Sequence, residues 1–192
     1  MTAAVPEKDE LDKVTLAIHA GLATLGLLAW LTGQWAGDYK RLSHPGFSIH
    51  SWVGISLSLF VFFRILYGVW GPANVRFANW VPYTKERLML VLEDLLTLAK
   101  LKHPERASHQ GLSGLVQAFG LLVFSWSALT GSLMYLYLQP GRKARGIMHM
   151  LKGTHEVGEW LIPVFLALHL SGVLLDALFG RQKWRKTFFL KG

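Results

Sequence analysis

HEVGEWLIPVFLALH, residues 155–169, is the stretch that decides how this chain folds. It carries a histidine at each end of an apolar run, and an imidazole buried in hydrocarbon needs a partner. His155 and His169 are fourteen residues apart. At about 100° and 1.5 Å per residue, that spacing returns to nearly the same helix face about 21 Å further along. One membrane-crossing helix can thus present two ligands at two depths.

The flanking sequence suits the same environment. Of 192 residues, 52% are hydrophobic and 17% charged, with a mean hydropathy of +0.32. The apolar residues come in blocks, unlike those of a soluble domain. Segments 14–35, 47–70, 112–138 and 157–179 are each long enough to cross a hydrocarbon core of about 30 Å, which takes about 20 helical residues. None resembles an outer-membrane strand. Residues 83–101 instead set Leu88, Leu92, Leu95, Leu96 and Ala99 at helical spacing against Lys85, Glu86, Glu93, Asp94 and Lys100. That pattern predicts an amphipathic helix on the cytoplasmic membrane surface, ended by His103-Pro104. The expected fold is all-α: a single domain over residues 1–192, forming a transmembrane four-helix up-down bundle with the amphipathic surface helix between helices two and three.

The net charge is +8, and its distribution orients the bundle. Thirteen cations fall on one side: Lys8 and Lys13; Arg76, Lys85, Arg87, Lys100, Lys102 and Arg106; and Arg181, Lys183, Arg185, Lys186 and Lys191. Six fall on the other: Lys40, Arg41, Arg142, Lys143, Arg145 and Lys152. Lys and Arg are retained in the cytoplasm, so both termini are expected there. The apolar run after Met1–Lys13 is too long for a signal peptide and is expected to stay as helix one. No nucleic-acid-binding motif accompanies the basic loops. There is no cysteine, which excludes disulfides, Cys-ligated iron–sulfur clusters and thioether-attached haem.

Up-down topology pairs the buried histidines by depth. His19 lies near the start of helix one, at the cytoplasmic level, and His50 near the start of helix two, at the opposite level. His155 should share a level with His50, and His169 with His19. Two imidazoles from facing helices are what a six-coordinate b-type haem requires, whereas zinc wants three or four ligands at one point. Arg64 is fourteen residues from His50, which puts it on the His50 face at the level of His19 and His169. A haem propionate would satisfy it, and so would snorkelling to the interface. Arg142, Lys143, Arg145 and Lys152 have the same two readings, propionate partners or solvated loop charges. Gly21, Gly26, Gly54, Gly158 and Gly172 allow close approach of a macrocycle or a neighbouring helix. His44, His103, His109 and His149 fall in loops or at their edges; His149 is the competitor to His155.

His50-Ser-Trp-Val-Gly54, Leu59 and Arg64-Ile-Leu-Tyr67 resemble the second helix of the bacterial cytochrome b561 and nickel–iron hydrogenase cytochrome b superfamily. His155-Glu156 with Ala167-Leu-His169 resembles its fourth helix, and Leu129-Thr130-Gly131 the end of its third. The loop helix with His103-Pro104 and His109-Gln-Gly-Leu-Ser-Gly114 is similar to hydrogenase-type members. Helix one departs from the family's Arg-x-x-x-His-Trp pattern, with Thr15 and Ala20 around His19, and His109-Gln-Gly stands where His-Asn-Pro is usual.

The resemblance implies four transmembrane helices, two haem b groups on opposite sides, and electron transfer between a quinone and a membrane or periplasmic partner protein. The expected role is therefore an electron-transfer subunit of an oxidoreductase in a respiratory chain, embedded in lipid. A self-contained quinone oxidoreductase acting on superoxide or a similar small molecule is the enzymatic alternative. A haem-free metal or proton transporter is the third reading.

Overall fold

The computed structural model describes residues 12–36, 45–104, 106, 109–138 and 143–180. Among the described residues seven helices follow in chain order: α1 (Lys13–Gly33), α2 (Pro45–Trp70), α3 (Phe77–Trp80), α4 (Lys85–Ala99), α5 (Gly111–Tyr137), α6 (Ile147–Glu156) and α7 (Gly158–Leu178). Three of them, α1, α2 and α5, together with the α6–α7 stretch Ile147–Leu178, are long and apolar enough to cross a membrane. The all-helical four-span bundle matches the sequence reading. Its sides display Trp52, Leu122, Trp160 and Leu170, all more than half exposed. Exposed apolar surface on that scale belongs against lipid tails.

α5 is the hub, packing on α2, α4, α6 and α7, while α1 packs mainly on α2. Ala29, Leu57 and Val61 form the buried centre between α1 and α2, and Phe124 and Ala128 of α5 close on it. Asp12 starts α1 by accepting the amides of Val14 and Thr15, both at 3.0 Å. It also accepts the Tyr67 hydroxyl at 2.9 Å, fastening the start of α1 to the end of α2. Burial alone would raise the Asp12 pKa, but hydrogen bonds from Thr15, Tyr67 and Val14 hold the carboxyl below its usual range.

The fourth span differs from expectation. Residues 147–156, expected in the third loop, are helical, and His155 lies at the end of α6 rather than at the head of α7. The interruption is one residue: Val157 keeps right-handed helical angles (φ −58°, ψ −30°), so the chain continues in nearly the same course. Within α7, Pro163 has no N–H for the Glu159 carbonyl four residues back. The Trp30 indole donates to that carbonyl instead, at 3.3 Å, which joins α1 to α7 where lipid offers no donor.

The surface helix forms as α4, capped by the Thr84 hydroxyl on the Arg87 amide. It packs on α5 and buries Val91 and Asp94, leaving Leu88, Leu92, Leu95 and Leu96 about half exposed. An apolar face left open beside the bundle suits the headgroup boundary. Asp94 is the anchor. One carboxylate oxygen pairs with Arg106 Nε, and the other accepts the Leu112 amide at 2.8 Å, satisfying a free N–H in the first turn of α5. Gly111 is required beside it: its φ of +58° disfavours a side chain, and a Cβ would run into the Asp94 carboxylate. Replacing Asp94 by alanine removes two charge-assisted hydrogen bonds. It should cost about 2 kcal/mol, read as a lower unfolding temperature in detergent.

Candidate functional site

The structure brings the four membrane histidines together in two pairs. His50 of α2 and His155 of α6 have ring centroids 6.1 Å apart with planes at 70°. His19 of α1 and His169 of α7 have centroids 6.3 Å apart with planes at 46°. Among the described residues, no group of three or more His, Asp or Glu side chains is placed to hold a metal ion.

At the His50/His155 level the hydrogen bonds fix which ring nitrogen carries the proton. His50 Nδ1 lies 3.0 Å from the Ala29 carbonyl, which can only accept, so Nδ1 is the donor. Thr32 Oγ1 lies 3.3 Å from the same nitrogen, and its own hydrogen is directed at the Leu28 carbonyl, 2.7 Å away. His155 Nδ1 lies 2.9 Å from Thr130 Oγ1, whose hydrogen is likewise spent on the Trp126 carbonyl at 2.8 Å. The hydroxyl therefore accepts from Nδ1–H. Both rings present an unprotonated Nε2, the form a metal needs.

Glycines make room for these rings. A Cβ at Gly131 would lie 3.0 Å from His155 Cε1, and one at Gly33 would lie 3.4 Å from His50 Cε1. Sequence reading missed Gly33 and Thr32, and quoted Thr130-Gly131 as part of a helix-three motif without giving either a role at His155. Gly21, Gly26 and Gly158 serve helix packing, against Phe60, Phe124 and Ser127 respectively. Gly54 and Gly172 have open space where a side chain would be.

The His19/His169 level is held differently. Among the described residues neither ring has a hydrogen-bond partner; Phe165 stacks on His169 with centroids 5.5 Å apart and an interplanar angle of 22°. Arg64 lies near this end of α2, its guanidinium 5.0 Å from the Phe77 ring centre and 5.7 Å from that of Trp80. Its Nη1 is buried without a hydrogen-bond partner. The side chain is thus held among aromatic rings, and it is not snorkelled into water.

The loop histidines are more engaged than their sequence positions suggested. His103 Nε2 pairs with Asp176 Oδ1 at 2.8 Å, and its ring lies on Phe179. His109 Nδ1 bonds Gln117 Oε1 at 2.7 Å, with its ring beside Trp80. His149 is exposed on α6, and His44 and Arg142 lie outside the described residues. Lys143 and Arg145 are exposed, and Lys152 pairs with Glu156.

A family profile described as prokaryotic cytochrome b561 matches residues 10–189. The chain belongs to the prokaryotic cytochrome b561 family. No curated protein and no solved structure matches it. Membership makes it a membrane electron-transfer protein that binds b-type haem. The paired rings of this cytochrome b561 fit that group. An imidazole nitrogen sits about 2 Å from a first-row metal and its ring centre roughly 1 Å further back, so two rings sharing one ion have centroids about 6 Å apart. The buried, unpartnered Nη1 of Arg64 fits it as well, because a cation there calls for an anion such as a carboxylate. With no cysteine to form thioether bonds, all haem should leave this protein in acidified acetone, and the extract should give the pyridine haemochrome spectrum of haem b.

Proposed function

We propose that this cytochrome b561 carries two haem b groups at two depths and passes electrons across the inner membrane between the quinone pool and a membrane or periplasmic redox partner. The observation that carries the proposal is the existence of two histidine pairs, at 6.1 and 6.3 Å, one joining α2 to α6 and the other α1 to α7. His50 and His155 would hold one haem, and His19 and His169 the other. Both termini are cytoplasmic, so the His50/His155 site faces the periplasm. Haem iron, cycling between ferric and ferrous states, supplies the one-electron chemistry.

The chain supplies ligation, orientation and charge. Ala29 and Thr32 hold the His50 ring, and Thr130 holds His155, through Nδ1, which leaves each Nε2 free to bind iron. Anchoring of this kind raises ligand basicity and prevents ring rotation. Arg64 receives a propionate from the His19/His169 side, replacing the hydrogen bond its Nη1 lacks.

Each role has a separable test. His169→Ala should remove about half of the bound haem, and retention of both haems would refute the pairing. Thr130→Val keeps the shape but removes one of two acceptors for the His155 ring, the other being the Ser127 carbonyl; haem affinity at that site should fall about 10-fold, with the other site unchanged. Arg64→Gln should lower the midpoint potential of the His19/His169 haem by roughly tens of millivolts, because a nearby cation favours the electron-rich ferrous state. A potentiometric titration of the reduced α band reads the last effect.

A further inference from the structure

A groove with a volume of about 580 Å³ runs along the α1–α2 seam. Val14, Ala17 and Ile18 form one wall, and Phe60, Phe63 and Leu66 the other. Val14 and Phe63 are each about half exposed, so the groove opens sideways towards lipid. Along α2 it extends from Phe60 to Trp70, ten residues, which at 1.5 Å each is about 15 Å. That is about half of a 30 Å hydrocarbon core, the depth of one leaflet.

Polarity is confined to one end. Lys13 and Trp70 stand at the mouth, and Gly71 completes it. Arg76 is anchored there by its Nε, which donates to the Gly71 carbonyl at 2.6 Å; its terminal nitrogens have no partner among the described residues. The carboxylate at that end, Asp12, is already occupied by Val14, Thr15 and Tyr67. Neither Lys13 nor Arg76 forms an ion pair with it among the described residues, and two cations against one carboxylate leave the mouth net positive. The inner end is lined by hydrocarbon alone, and the Tyr67 hydroxyl is committed to Asp12. A quinone ring seated inside would find no donor for its carbonyl oxygens. An acyl chain needs none.

We propose that this groove is a binding site for an anionic phospholipid, with one acyl chain against Ala17, Ile18, Phe60 and Phe63 and the phosphate headgroup between Lys13 and Arg76. Interfacial cations favour anionic lipid by about fivefold each. The lipid closes the α1–α2 seam beside the turn that carries His19, while leaving haem ligation to other residues.

The test is native mass spectrometry of the haem-loaded protein delipidated in mixtures of phosphatidylglycerol and phosphatidylcholine with identical chains. Wild type should retain one phosphatidylglycerol preferentially. Lys13→Gln and Arg76→Gln should each lower that preference about fivefold. Ala17→Trp fills the groove and should abolish retention of either lipid; Val14→Trp, at the exposed mouth, reads the same feature if the first variant fails to assemble. The haem absorbance of each variant, unchanged, separates loss of the lipid from loss of the bundle. Equal retention of both lipids by wild type, retention unaffected by Ala17→Trp and Val14→Trp, or an isoprenoid quinone held in place of phospholipid would each overturn the proposal.

Discussion

An imidazole N–H without an acceptor is costly inside a membrane, and the arrangement of the spans at the His50/His155 level follows from meeting that need. The Ala29 carbonyl and Thr32 hydroxyl of α1 reach His50 of α2, and Thr130 of α5 reaches His155 of α6. Each bond joins two neighbouring helices in a fixed register. The α1–α2 pair is then pinned twice, by His50 at one end and by the Asp12–Tyr67 bond at the other. Both threonines direct their hydroxyl hydrogen at carbonyls of the preceding turn, which leaves a lone pair for the ring. A valine would fill the same volume and do neither.

The two histidine levels are built from different materials. One is a hydrogen-bonded level, with acceptors on both rings. The other uses aromatic packing, Phe165 on His169 and Phe124 against Phe165, with the Arg64 guanidinium at the same end of the bundle. Under the proposed ligation these environments act in opposite directions on a bound haem. Donation from Nδ1–H makes a ligand more basic and favours the ferric state, whereas a nearby cation favours the ferrous one. On that proposal, a haem at the level that carries Arg64 would have the higher potential.

Much of this was legible in the chain because a membrane leaves a sequence few choices. Twenty-odd apolar residues fix a span, short loops fix antiparallel neighbours, and the spacing of His50, Arg64, His155 and His169 fixes depth and face. The illegible parts depend on tertiary partners. Residues 147–156 are helical although Gly146, Lys152 and Gly153 suggest a loop, because α6 packs on α5 and on α7. Thr130 and Thr32 look like ordinary polar interruptions of apolar helices until the opposing ring is placed. His103 reads as a helix stop before Pro104, and only the fold carries Asp176, more than seventy positions later, to its Nε2.

The same rule that binds the histidines explains the irregularities of the fourth span and identifies the group that breaks it. Pro163 frees the Glu159 carbonyl, and Trp30 takes it; α6 ends at Glu156, and Trp126 donates to the Thr154 carbonyl at 3.2 Å. Backbone groups left over in the apolar layer are thus met by indoles from neighbouring helices. Three buried side-chain atoms among the described residues are not met: Ser127 Oγ, His103 Nδ1 and Arg64 Nη1. A hydroxyl or a ring nitrogen without a partner costs a few kcal/mol, whereas a guanidinium carries a full charge and pays far more for lost solvation. A fold that repairs a proline's carbonyl with an indole would not leave its most expensive group unserved without use. Under the proposed function, Arg64 is the position where an anion such as a haem propionate would be met, at the level where His19 faces His169.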